Sequence, residues 1–146
     1  MVAERVPGWF WEVLEAARPR VAALEAWLGG QPREVLEEFA WAYATAAEEL
    51  ADFAEGVGVD GEVWSEDSTE DLCLWVVGQG YGLWRAVLEG ERALEEAARV
   101  YLGGEAAWDG EVADPAHRGY QSPDAIVHGV HRSRFGEELR ERPEDY

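Results

Sequence analysis

The chain has 146 residues, 47% of them apolar and 12% aromatic, with eight Trp. That is enough to bury a core as one domain over 1–146 without disulfides or a structural metal, and it excludes wholesale disorder. The net charge of −19 argues against nucleic-acid binding, which needs a basic surface to meet phosphates. No stretch approaches the roughly 18 uninterrupted apolar residues of a membrane span. The opening MVAERVPGWF lacks the basic start and apolar middle of a signal peptide, so a cytoplasmic protein is expected.

All twelve basic residues are Arg, a pattern that fits coding bias in a G+C-rich genome, and Glu outnumbers Asp 23 to 8, as expected for exposed helix faces. The acidity has two readings. It is a solvated, self-repelling surface, or it is a surface matched to a basic protein partner.

After a lead-in ending at Pro7 and Gly8, Phe10, Leu14, Ala17, Val21, Leu24 and Leu28 keep a helical rhythm that Pro19 interrupts, predicting two helices or one kinked helix. Gly29 and Gly30 end this stretch. Pro32 and Glu34 open the next helix, whose inward stripe is Leu36, Phe39, Tyr43, Ala46, Leu50 and Phe53, with Trp41 on the other side. Glycines at 56, 58 and 61 then make a loop, with Val63 and Trp64 as a short extended piece.

The stretch Ser65–Leu88, SEDSTEDLCLWVVGQGYGLWRAVL, is expected to be the central helix. Asp67 with Glu70, or Ser68 with Asp71, can cap it, starting the helix near Ser68, and the first-turn acids suit the positive end of the helix dipole. Leu72, Trp75, Val76, Gln79, Leu83, Trp84 and Val87 share an apolar face in which Gln79 is the polar member. Gly78, Gly80 and Gly82 each cost a helix interior about 1 kcal/mol, so either another backbone packs closely there or the helix breaks near Gly80. Cys73 within this run reads as a small buried hydrophobe.

Leu94, Ala97, Ala98, Tyr101 and Leu102 form another inward stripe, ended by Gly103 and Gly104. Residues 103–121 are the longest irregular run. Ser122–Pro123 starts a last helix carrying Ile126, Val127, Val130 and Phe135, which is expected to fray into the charged end at about 140–146. Strand-type alternation is almost absent. The expected fold is therefore all-α: a single irregular bundle of five to six helices with a long loop before the last one.

Phe10–Trp11, ALEAWL with the following PREVLEEF, and SEDSTEDLCLWVVGQGYGLWRAVLEG together resemble bacterial domain-of-unknown-function family 4240. The resemblance covers roughly residues 9–102, with a weaker signal in FGEEL of the tail. Ser65, Glu66 and Asp67 match the family's acidic cap, and Trp75, Gln79, Gly80, Ala86 and Leu88 match its helix. Glu66 stands where the family usually has Asp, the first inter-helix loop is shortened around Pro19, and LADFAEGVGVDGEVW replaces the segment expected before the cap. The resemblance implies a helical intracellular bacterial fold and no settled activity.

A ligand-binding site is open to the acidic cap (Ser65, Glu66, Asp67) with Trp75, Gln79, Tyr81 and Arg85, walled by Trp64 and Trp84. Helix capping alone explains much of the same acidic pattern, and Arg85 reads as a surface partner of Glu89. His128 and His131 lie at i and i+3, with His117 or Asp124 as further ligands, but they lack a zincin Glu and accompanying cysteines, so no metal and no other cofactor is expected. No serine sits in a nucleophile elbow, so no catalytic residue is assigned. The leading expectation is a non-enzymatic protein-binding or regulatory module of immunity or inhibitor type with a basic partner. The alternatives are an enzyme or small-ligand binder using the acidic cluster, and a homo-oligomer burying Trp41 and Trp108.

Overall fold

The computed structural model describes residues 6–18, 20–51, 58–59, 62–63, 66–102 and 123–142. Among them are seven helices and one small ribbon: α1 (Gly8–Ala17), α2 (Val21–Gly29), α3 (Arg33–Ala51), β1 (Gly58–Val59), β2 (Glu62–Val63), α4 (Glu66–Gly78), α5 (Tyr81–Leu88), α6 (Leu94–Leu102) and α7 (Pro123–Phe135). The fold is all-α as the periodicity predicts. The helix number exceeds the expected five to six because the stretch expected to be one central helix is two, α4 and α5, while α1 and α2 are the two separate helices that Pro19 allowed. Pro19, Phe53, Trp64, Ser65, Trp108, His117, Ser122 and the expected loop at 103–121 lie outside the described residues. Where Val63–Trp64 was expected to be extended, β2 pairs antiparallel with β1 through Gly58–Val63 and Val59–Glu62.

The central element is α3 rather than the Ser65–Leu88 stretch, because α3 packs against α1, α4, α5 and α7 while α7 also covers α2. Leu36, Phe39, Tyr43, Ala46 and Leu50 of its stripe are all buried. Phe10 of α1 enters beside them, its ring 5.0 Å from Phe39 and 5.7 Å from Tyr43. These are separations at which tilted and edge-on aromatic pairs attract. The α1–α2 stripe is buried at every predicted position, Phe10, Leu14, Ala17, Val21, Leu24 and Leu28.

Two side-chain hydrogen bonds tie helices α4 and α5 to α3. Tyr43 Oη donates to the Leu74 carbonyl at 2.9 Å, and Trp84 Nε1 donates to the Ala46 carbonyl at 2.9 Å. Trp84 is completely buried, so its indole N–H has no solvent to turn to and the Ala46 carbonyl removes the desolvation cost. Cys73 is buried, and burial pushes its thiol up to about 11, as befits a packing residue.

Of the alternatives left open by the glycine spacing, a break is the one observed. α4 ends at Gly78, and α5 starts after Gly80, whose φ of 107° lies in the region that side-chain-bearing residues avoid. Glu15 of α1 and Arg18, which follows its last residue, clasp this junction: Arg18 Nη1 donates to the Gln79 carbonyl, and Tyr81 N donates to Glu15 Oε1 at 3.3 Å. α4 also begins at Glu66, ahead of the expected start near Ser68. Asp67 and Ser68 therefore stand inside its first turn, and the position before the helix is Ser65.

The last helix does not fray. Gly136, at φ 71°, closes α7 with its N–H on the Arg132 carbonyl at 2.9 Å, the left-handed glycine stop common at helix ends. The chain then turns back along α3. Arg134 Nη1 meanwhile donates to the Leu28 carbonyl at 3.1 Å and to the Gln31 carbonyl, placing a cation at the C-terminal end of α2.

Gly80 and Gly82 of the α4–α5 region have different duties, and alanine substitution separates them. A Cβ on Gly80 would stand 3.2 Å from Glu15 Oε1 at a positive φ, whereas one on Gly82 would meet nothing within 4 Å. Gly80→Ala is expected to destabilise by about 1–3 kcal/mol. Gly82→Ala is expected to stabilise by about 0.5–1 kcal/mol, since the site is an ordinary helical one. Urea unfolding of the two variants against wild type reads both signs.

Candidate functional site: an apolar groove with an acidic rim

Of the residues singled out by sequence for a pocket, Ser65 and Trp64 lie outside the described residues, and the others are spread along α4 and α5. Glu66 and Asp67 open α4, whereas Gln79 and Tyr81 follow its end; the twelve residues from Asp67 to Gln79 correspond to about 18 Å of helix axis. Gln79 bonds back onto its own helix, with Nε2 3.3 Å from the Trp75 carbonyl. Tyr81 is exposed but lies in an aromatic cluster with Trp11 at 5.6 Å and Trp84 at 6.0 Å. Arg85 is exposed and pairs with Glu89 at 2.7 Å. Trp75 is half-buried.

The histidines also part company. His128 is exposed and His131 fully buried, so they do not present one open face. His131 Nδ1 is 2.8 Å from the Glu137 carbonyl, which assigns that nitrogen the proton, and Nε2 is buried without a hydrogen-bond partner among the described residues. No group of three or more His, Cys, Asp or Glu side chains among the described residues could hold a metal ion. No helix among them is long and apolar enough to cross a membrane.

What the fold does assemble is an open groove of about 580 Å³ where α1, α2 and α3 meet. Trp9 and Val13 of α1, Ala23 and Trp27 of α2 and Val35 of α3 supply apolar surface, and Glu12, Gln31 and Glu38 supply polar groups. Trp9 and Trp27 stack with ring centroids 6.3 Å apart and planes 30° apart, so together they form one continuous aromatic surface. Trp27 is braced from behind by Phe39, 6.4 Å away. Glu12 and Glu38 are exposed, which places negative charge beside apolar surface. Such a surface suits a ligand that is apolar in its body and cationic at its edge.

Sequence reasoning missed this groove, yet a signal was present. Trp9, Val13 and Ala16 form a second apolar row on α1, beside the Phe10–Leu14–Ala17 row that the core consumes. A helix with more apolar surface than its core needs has another surface to cover.

A second assembly lies farther around α3, where the segment after Gly136 runs beside the helix. Arg140 Nε and Nη2 each lie 2.6 Å from an oxygen of Glu37, a paired donor geometry, and Trp41 Nε1 donates to the Arg140 carbonyl at 3.0 Å. Arg142 Nη1 donates to Thr45 Oγ1 at 2.9 Å and Arg142 Nη2 contacts Glu48 at 2.6 Å. Glu37 is 0% exposed, so its charge depends on that guanidinium. Trp41, expected on the outer side of α3, is half-buried by this use.

No family model, curated protein or solved structure matches the chain.

The hydrogen bonds from Arg140 hold the Glu37 carboxyl below its ordinary value of 4.5, against the opposing effect of burial. A lowered folded-state value means that the pair's contribution is complete above about pH 4.5 and is lost as pH falls through the depressed value. Glu37→Gln is thus expected to be less stable than wild type at pH 7, with the difference closing in acid below pH 4.5. Thermal melts of both proteins across pH 2–7 give the comparison.

Proposed function

We propose that the chain is a protein-binding or regulatory module, of immunity or inhibitor type, which takes an apolar segment flanked by basic residues into the Trp9–Trp27 groove. The observation that carries this reading is the pairing of a continuous aromatic surface with the exposed carboxylates Glu12 and Glu38. The net charge of −19 favours the same partners by attracting cations before contact. Apolar anchoring would then supply the affinity and the rim its selectivity.

Catalysis or small-ligand binding at the α4 acids needs Glu66 or Asp67 to act with Gln79 or Tyr81 across about 18 Å of helix. That separation favours the groove. Membership of family 4240 is likewise a proposal, resting on the acidic cap and the Trp75–Gln79–Gly80 pattern, and a cytoplasmic location is proposed on the same footing.

The test is an anisotropy titration with two labelled amphipathic peptides sharing leucine anchors, one flanked by arginines and the other by glutamates. The arginine peptide is expected to bind, with affinity falling on the order of tenfold in the Glu12→Arg/Glu38→Arg variant or on raising salt from about 50 to 500 mM. Equal binding of both peptides, or indifference of the arginine peptide to charge reversal and salt, refutes the assignment.

A further inference from the structure

The tail that follows Gly136 is held in a way that distinguishes it from the core elements. Residues 136–142 form neither helix nor strand, and most of their side chains are exposed, with Leu139 and Arg142 half-buried. They follow α3 in the same chain direction: Glu137 meets Arg33, Arg140 meets Glu37 and Trp41, and Arg142 meets Thr45 and Glu48. The anchoring is thus largely polar: the segment buries little apolar surface, and what holds it closed is its ion pairs and hydrogen bonds, the covered Glu37–Arg140 pair foremost.

The receiving surface belongs to α3 and is formed by the helix itself. It consists of a covered carboxylate (Glu37), an indole N–H (Trp41), a buried hydroxyl (Thr45) and an exposed carboxylate (Glu48). With the tail in place Glu37 is covered and its two oxygens take two parallel N–H···O bonds, a geometry that selects guanidinium over ammonium. Arg140 is itself 64% exposed on its side chain although its Nε and Nη2 are engaged, so the guanidinium is open to solvent while the carboxylate it holds is covered. The arginines are two residues apart, which in an extended segment turns both toward one side.

We propose that this row of α3 is a docking surface for an extended Arg-x-Arg segment of a partner protein, and that residues 137–142 are its built-in competitor. The tail holds the surface closed, and a partner segment with two arginines in the same spacing displaces it. The apparent affinity for the partner is then the intrinsic affinity reduced by the fraction of molecules whose tail is open. This surface faces a different side of α3 from the Trp9–Trp27 groove and is tested independently of it.

The probe is a fluorescein-labelled peptide of the tail's own sequence, FGEELRER, titrated into the full-length chain. The Arg140→Ala/Arg142→Ala variant, whose tail can no longer compete, is expected to bind it on the order of tenfold more tightly than wild type. Adding Glu37→Gln to that variant is expected to abolish binding, and a peptide with lysine at both arginine positions is expected to bind on the order of tenfold more weakly. Hydrogen exchange on the wild type adds a reading that needs no variant: amides of 137–142 are expected to exchange well before those of α3, and faster still with peptide present. Absence of peptide binding to a variant that keeps its helical circular dichroism overturns the proposal. So does loss of that helical signal in the variant, or exchange of the tail only together with α3, since either makes the tail an integral part of the core.

Discussion

The structure depends on how α3 is enclosed. Its apolar stripe of Leu36, Phe39, Tyr43, Ala46 and Leu50 is buried, but so are Glu37, Thr45 and Glu49. A helix surrounded in this way cannot leave its polar side chains to water, because burying them unpaired costs several times what an ordinary hydrogen bond contributes. The neighbours of α3 are accordingly of two kinds. On the apolar side, α1 and α5 bring the rings of Phe10 and Trp84, and two hydrogen bonds join α3 to its neighbours, from Trp84 to the Ala46 carbonyl and from Tyr43 to the Leu74 carbonyl of α4. On the other side, the tail after α7 brings arginines to Glu37, Thr45 and Glu48.

This division explains why a strongly acidic chain keeps several of its arginines close to its C-terminal end. Arg134 crosses to the last carbonyls of α2 and lies 4.8 Å over the Phe135 ring, with Arg33 5.5 Å from the same ring. Arg140 and Arg142 serve α3. In a protein of net charge −19 each guanidinium so placed relieves local repulsion as well as satisfying a particular oxygen. The acidic surface that remains, including Glu12 and Glu38 at the Trp9–Trp27 groove, is the part presented to solvent.

The α4–α5 junction illustrates how a local irregularity becomes a joint. Ending α4 at Gly78 lets α5 turn so that Trp84 enters the core, 4.9 Å from Trp11. Only glycine accepts the φ of Gly80 without strain, and the backbone groups beside the break go to Glu15 of α1 and to Arg18, which follows its last residue. The polar groups at the end of α1 thus hold a joint formed more than sixty residues later in the chain.

Periodicity alone determined the all-α class and the buried stripes of α1, α2 and α3, with Ile126 and Val127 on α7, while Trp75, Leu83, Val87, Val130 and Phe135 of the predicted faces are half-buried. It could do so because a helix displays its buried face every three or four residues, a local property that needs no partner to be recognised. The glycine pattern likewise marked 78–82 as special, while leaving close packing and a break equally open. Which helix would be central and the meeting of Trp9 with Trp27 were decided by tertiary structure. So was the pairing of Glu37 with Arg140, 103 residues apart. The physical reason is that a carboxylate or an indole carries no local sign of its partner: a solvated Glu and a buried, paired Glu occupy the same kind of helical position until the packing of distant elements decides which of them loses water.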